Sequence, residues 1–186
     1  MQTENKKNDI ISITTFRQVT WEYDRPVCIF CDIDDTVISD KESMDRAFAL
    51  SKEEPDDIKR LELYYRELHT PYATDLDGFQ NMMERLSQSD PSSEFSFLTA
   101  RGCETHSITL EHLQMAGIPN GHNHRVYYTN NWCTKGVYMR DSIFCLSSSA
   151  SLPTSVQYIF IDDNELHLKS VHELFPQIQC YRWRTK

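Results

Sequence analysis

The residues of this sequence that could do chemistry fall in four short stretches. They are Asp32-Ile33-Asp34-Asp35-Thr36, Thr99-Ala100-Arg101-Gly102, Lys135, and Asp162-Asp163-Asn164. Three or four carboxylates brought to one rim repel each other strongly unless a cation sits among them. Carboxylate oxygens with no clustered His or Cys suit a hard ion, most naturally Mg²⁺. A magnesium held by carboxylates beside a hydroxyl and a lysine makes a phosphate site. An Asp in such a site can also attack phosphorus and form an aspartyl phosphate.

Residues so far apart meet only if the fold delivers them to one place. Short apolar runs at Val27–Cys31, 95–98, 126–128, 156–161 and 178–181 read as buried strands, with 10–13 as a further edge strand. Asp32 follows the first of these runs, Thr99 the second and Asp162 the fourth. Thr129-Asn130-Asn131 follows the third, with Lys135 shortly beyond. Between most of the runs lie helix-period stripes: Leu76, Phe79, Met83 and Leu86 near 75–88; Ile108, Leu113 and Ala116, ended by Gly117 and Pro119; and Leu168, Val171 and Leu174. Strands alternating with helices predict βαβ units and a parallel sheet. In such sheets ligands bind beyond the carboxyl ends of the strands. The segment 37–74 breaks the alternation. It reads as a small helical insert, with one helix near 42–51 (Met44, Ala47, Phe48) and another near 55–68 (Ile58, Leu61, Tyr65, Leu68) opened by Pro55. It is too short for an independent domain, so 1–186 reads as one domain.

Composition removes several function classes. The net charge of −9 disfavours broad binding to phosphate backbones. The five glycines form neither GxGxxG nor GxxxxGK[ST]. The cysteine-phosphatase pattern C-x5-R is absent, because Cys133 and Arg140 are one residue too far apart. No apolar run approaches the ~20 residues of a membrane span, and the opening MQTENKKND is too polar for a secretory signal. Six scattered cysteines imply reduced thiols and a cytoplasmic setting.

CIFCDIDDTV resembles the first motif of the haloacid dehalogenase (HAD) superfamily, an apolar strand followed by DxDxT. FSFLTARG is similar to the second motif, Lys135 in CTKG sits where the third motif's lysine falls, and YIFIDDN resembles the fourth. The four occur in family order across about 27–175. ITTFRQV, LTARG, TKG and FIDDNELHLKSV are also similar to a HAD-like family of intracellular bacterial pathogens. That likeness implies a bacterial effector entering a host cell by a route without a signal peptide.

The superfamily resemblance implies a three-layer Rossmann-like α/β fold with central strand order 5-4-1-2-3, helices on both faces, and 37–74 as a minimal cap. It implies a Mg²⁺-dependent phosphatase acting on phosphomonoesters, and it implies roles. Asp32 is the nucleophile. Asp34 protonates the leaving oxygen and then activates water. Magnesium is held by the Asp32 carboxylate, the Asp34 backbone carbonyl and an acid of the fourth motif, Asp163 first with Asp162 left open. Thr99 and nearby backbone amides hold the phosphoryl oxygens, and Lys135 neutralises charge on Asp32 and the phosphate. Thr36 orders the first loop and, with Ala100 and Arg101, counts among the phosphate-binding residues.

Plainer readings stand beside these. A solvated acidic turn at Asp32 and Asp34 is disfavoured, because Asp so near a buried strand is costly unless paired. Asp162 or Asp163 could be a helix N-cap, Thr99 an ordinary strand-end hydroxyl, and Lys135 a surface lysine. Arg101 either contacts substrate phosphate or pairs with a carboxylate. Cys28 and Cys31 fall on opposite faces of a strand and read as core cysteines rather than a CxxC site. The 121–124 GHNH stretch reads as loop, as does 147–151, and Tyr127, Tyr128 and Trp132 read mainly as core.

Only 62 residues separate Thr36 from Thr99, too few for a crossover helix plus a substantial cap. An open site favours a phosphoprotein substrate, with phosphotyrosine preferred. A small-metabolite or nucleotide phosphatase and a catalytically silent binding module are the alternatives.

Overall fold

The computed structural model describes residues 9–119, 121–146 and 151–185. Three of its strands are sheathed on both faces: β2 (Val27–Cys31), β5 (Glu94–Thr99) and β7 (Gln157–Asp162), named here by their place in the chain. Near-continuous apolar sequences such as VCIFC and QYIFID are what a doubly covered parallel sheet demands. With β1 (Ile11–Ile13), β6 (Arg125–Tyr128) and β8 (Gln179–Trp183), they form a six-stranded parallel sheet of order β1-β8-β7-β2-β5-β6. Leaving out β1, this is the 5-4-1-2-3 order that the resemblance implies. The short β1 extends it by pairing Ile11 with Tyr181 and Ile13 with Trp183.

Alternation along each strand splits the core into two clusters, one on each side of the sheet. On one side Ile29 and Cys31 of β2 meet Phe79, Met82 and Leu86 of α3 (Leu76–Ser87) and Leu113 of α4 (His106–Met115). On the other side Phe30 and Phe160 meet Met139, which follows α5 (Lys135–Tyr138), and Leu168 and Val171 of α6 (Glu165–Leu174). The result is a three-layer α/β sandwich. Cys31 belongs to the first cluster and Cys28 lies against the second, and all six cysteines are free. Leu174, expected in the buried stripe of α6, is exposed; Phe175 takes its place in the core.

Caps fix the helix starts. Asp75 opens α3 by accepting from the Gly78 amide and also accepts from the Phe16 amide at 2.9 Å, tying a short 3₁₀ turn (Phe16–Gln18) to the helix. At the end of α4, Gly117 takes φ +73°, and the Ile118 amide reaches back to the Leu113 carbonyl.

The insert stands on a two-stranded antiparallel ribbon, β3 (Ile38–Ser39) with β4 (Tyr72–Ala73), which sequence patterning did not anticipate. Its helices are α1 (Lys41–Ser51) and α2 (Asp57–Arg66), the latter capped by Asp56 rather than opened by Pro55. Asp40 caps α1 and accepts from both the amide and the hydroxyl of Thr70 at 2.9 Å, so the insert's two ends are pinned together. Two short helices bury little. Ala47 and Leu68 are covered, whereas Met44, Phe48, Ile58 and Leu61, expected on their inner faces, are exposed. The 147–151 stretch, read as loop from sequence, lies outside the described residues at 147–150.

Phe16 shows how the amino-terminal segment is held. Its ring is fully buried, stacked on Trp183 at 4.6 Å and edge-on to Phe79 at 5.5 Å. Phe16→Ala should therefore cost about 3–5 kcal/mol. The expected readout is a lower urea midpoint at unchanged slope.

Candidate active site

The strand ends meet as the sheet requires. The Asp32 amide donates to the Ile161 carbonyl at 2.9 Å, which aligns the end of β2 with that of β7. Beyond Asp32 the chain reverses sharply. Asp35 adopts φ 55°, a conformation Asp tolerates better than most residues. The amides of Val37 and Ile38 both return to the Ile33 carbonyl. This turn leads directly into the ribbon of the insert.

Lys135 lies at the centre of the site, 1% exposed. Its Nζ donates to Asp162 Oδ2 at 2.7 Å and to Asp32 Oδ1. Burial works against the ammonium, but Asp162 and Asp32 outweigh it and hold the Lys135 pKa above its ordinary value. Burial also drives the Asp32 carboxyl upward, opposed by Lys135 and reinforced by Asp162 and Asp34. The surface-lysine reading of Lys135 is thus excluded: the first residue of α5, far along the chain, is the cation of the buried rim.

Lys135 is brought there by the packing of α5 on α6. Gly136 leaves no room for a side chain, since a Cβ would stand 2.5 Å from the Ser170 carbonyl oxygen. Thr134 Oγ1 lies 2.5 Å from Ser170 Oγ, and the Lys135 amide donates to His167 Nδ1 at 3.4 Å. Burial, then Lys135, lowers the His167 pKa and keeps its ring neutral.

Thr36 is fully buried and joins the first loop to the fourth. Its hydroxyl donates to Asp32 Oδ2 at 3.2 Å and accepts from the Asp163 amide at 3.1 Å. Asp162 Oδ1 accepts from the Asn164 amide at 2.7 Å, so both Asp162 oxygens have partners. Asn164, not either acid, caps α6. Asp163 is half-buried, and burial followed by the neighbouring Asp162 pushes its carboxyl up to about 6. Carboxylate oxygens of Asp32, Asp162 and Asp163 all lie within 4.8 Å of one another. This group holds only oxygen donors, as a hard divalent ion requires. It is the only such group among the described residues.

Asp34 points elsewhere. Arg101 grips it from two sides, Nη2 to Oδ1 at 2.7 Å and Nε to Oδ2 at 2.9 Å. Burial alone would raise the Asp34 pKa, yet the guanidinium wins and lowers it. Arg101 is itself 1% exposed. Its Nη1 donates to Thr109 Oγ1 at 3.1 Å and lies 3.3 Å from His112 Nδ1. His112 is held neutral, its pKa down to about 4 through burial and then Arg101. Tyr65 of α2 covers the guanidinium at 4.4 Å, a cation–π contact from the insert to the core.

Of the two sequence readings of Arg101, pairing with a carboxylate is the one found. Thr36 and Arg101, both counted among the phosphate-binding residues, have their polar groups turned inward onto protein partners. Thr99 is buried, and its hydroxyl accepts from the Arg101 amide at 3.2 Å; Ala100 is half-buried in the same turn. Sequence reading missed Tyr65, Thr109 and His112, because nothing local in the chain marks them as neighbours of Asp34. Trp132, read mainly as core, is 84% exposed.

No protein-family model and no curated protein matches the sequence. Solved structures similar in fold include these two. One is a haloacid dehalogenase-like family hydrolase from Streptococcus pneumoniae, at 14% identity and TM-score 0.49, covering 80% of this chain and 81% of that one. The other is the HAD domain of the effector protein Lem4 from Legionella pneumophila, an inactive mutant. It has 15% identity and TM-score 0.44, covering 87% of this chain and 86% of that one.

Gly136→Ala probes the contact that sets Lys135 in place. A methyl group forced against the Ser170 backbone should push α5 off α6 and cost about 1–3 kcal/mol. Urea unfolding measures this, and an unchanged midpoint would mean that α6 yields there freely.

Proposed function

We propose that this protein is a Mg²⁺-dependent phosphatase that hydrolyses phosphomonoesters through an aspartyl phosphate on Asp32. The observation that carries the reading is the charge balance of the rim. Asp32, Asp162 and Asp163 crowd within 4.8 Å, while the Lys135 ammonium bonds two of them. Three carboxylates against one ammonium leave two negative charges in excess, which a divalent cation matches. Asp32, Asp163 and the Asp34 backbone carbonyl are the oxygens we assign to it. Asp163 is our first choice as the fourth-motif ligand, with Asp162 in the same group of oxygens. When bound, Mg²⁺ there screens the carboxylates and draws charge from the phosphoryl oxygens.

The chain's own residues do the rest. An Asp32 carboxylate oxygen attacks phosphorus in line, the new P–O bond forms, and the ester P–O bond breaks. Thr99 and adjacent backbone amides, including that of Ala100, hold the phosphoryl oxygens. Lys135 balances the charge that moves off Asp32. Asp34 gives a proton to the leaving oxygen, then takes one from the water that attacks the aspartyl phosphate. Both its oxygens are engaged by Arg101, which favours the carboxylate, so Asp34 takes up a proton from solvent and passes it to the leaving oxygen only when that grip loosens. Arg101 and Thr36 act as positioning residues. Asp32→Asn should lower turnover by several orders of magnitude at unchanged fold, since an amide cannot form the acyl phosphate. Chelation with EDTA should silence the unaltered protein. Mg²⁺ should restore it and Ca²⁺ should restore little, because calcium's larger, looser shell misplaces the phosphate. Full activity in chelator would exclude the metal assignment.

We assign the substrate class to phosphorylated proteins, with phosphotyrosine foremost. Beside Asp34 the insert and core leave a cleft of about 100 Å³, lined by Tyr64, Tyr65, Met44 and Leu68 together with Asp35 and Asp40. The aromatic walls suit a ring. The insert is small and works as a minimal cap, so recognition falls to surface contacts. The comparison that decides is kcat/KM on phosphotyrosine, phosphoserine and phosphothreonine peptides against sugar phosphates and nucleotides. A metabolite ahead by more than about tenfold overturns the protein-substrate reading, and a phosphoserine peptide ahead overturns only the tyrosine preference.

A further inference from the structure

β6 ends the sheet, and among the described residues no strand pairs with its outer side. A groove of about 590 Å³ follows that edge. Consecutive β6 residues line it although they face opposite ways: Val126 packs on the first core cluster and Tyr127 on the second. The groove therefore runs along the strand's edge rather than over one face of the sheet. Its far wall is aromatic and apolar, with Trp132, Val137 and Tyr138. At its carboxyl end lies Thr129, 2% exposed, whose Oγ1 is buried without a hydrogen-bond partner. A buried hydroxyl left unpaired is costly and rare.

The groove leads to the catalytic rim. The Thr129 amide donates to the Thr99 carbonyl at 3.0 Å, and the Asn130 amide to the Arg101 carbonyl at 3.2 Å. Cys133, also in the groove, precedes Lys135 by two residues. An unpaired strand edge offers backbone donors and acceptors in a row. An extended peptide satisfies such a row while its side chains alternate between pockets. Aromatic walls with Asp141 as their one carboxylate suit apolar or aromatic side chains.

We propose that this groove docks an extended segment of the phosphoprotein substrate, which adds to the edge of β6 and leads its phosphorylated side chain to the rim. The proposal rests on the phosphoprotein reading above. Four residues of β6 span about 13 Å, so the segment is a flank of three or four residues.

The test uses hydrogen exchange and peptide kinetics on the full chain. With Asp32→Asn, so that ligand is not consumed, a phosphotyrosine peptide of about ten residues should slow amide exchange in Arg125–Tyr128 by about tenfold or more. With the unaltered protein, N-methylating alternate peptide amides that face β6 should raise KM about tenfold. N-methylating the intervening amides should change it less than about twofold. Trp132→Ala should lower kcat/KM on the peptide, relative to a small aryl phosphate, by about fivefold or more. No slowing in β6 at saturating peptide, or equal sensitivity to methylation at every amide, overturns the docking groove. Failure of the phosphatase reading would show separately, as no turnover of any phosphoester by the unaltered protein.

Discussion

One ammonium group among three carboxylates governs the architecture of this protein. The Asp32, Asp162 and Asp163 oxygens lie within 4.8 Å of each other, and Lys135 enters between the first two from a different part of the chain. Like charges held so close destabilise a fold unless their repulsion is offset. The Gly136 contact with α6, the Thr36 hydroxyl bridging two loops and the alignment of β2 with β7 all keep this one arrangement. The excess negative charge that remains is the ground on which we propose a divalent cation there.

A second charge pair links the insert to the rim. Arg101 is buried, and its guanidinium meets Asp34, Thr109, the His112 ring and the face of Tyr65. Breaking such a pair by removing one partner leaves a desolvated charge behind, which is far costlier than losing a surface salt bridge. Tyr65 of α2 thus lies directly on the guanidinium that grips Asp34. The insert is small, yet through Tyr65 it reaches the guanidinium that holds Asp34, the residue to which our proposal gives the proton transfers.

The molecule's apolar surfaces divide along the same lines. The two core clusters close around the interior strands, while Phe48, Ile58 and Leu61 on the insert and Trp132 beside β6 stay exposed. Helices as short as α1 and α2 share one contact face and have no second layer to cover the other. The exposed rings and chains thus lie on the insert and beside the sheet's edge, outside both core clusters.

Much was legible in the sequence. Apolar runs ending in Asp32, Thr99 and Asp162 determined the interior strands and, through the rule that ligands gather beyond their carboxyl ends, the rim itself. The period of Phe79 and Leu86, and the Gly117 stop after Leu113, determined where α3 and α4 pack. These are local properties, carried by alternation, helical period and backbone freedom. Contacts between distant residues were decided only by the tertiary structure. Arg101 could have met phosphate or carboxylate until Asp34 was seen in its grip. Lys135 could have been solvated until α5 was seen packed against Ser170. Trp132 reads as core by type, but the fold leaves β6 at the sheet's edge and the ring in solvent. Hydropathy reports what a residue prefers. Which charge it meets, and whether its strand has a neighbour, depends on chain segments a hundred residues away.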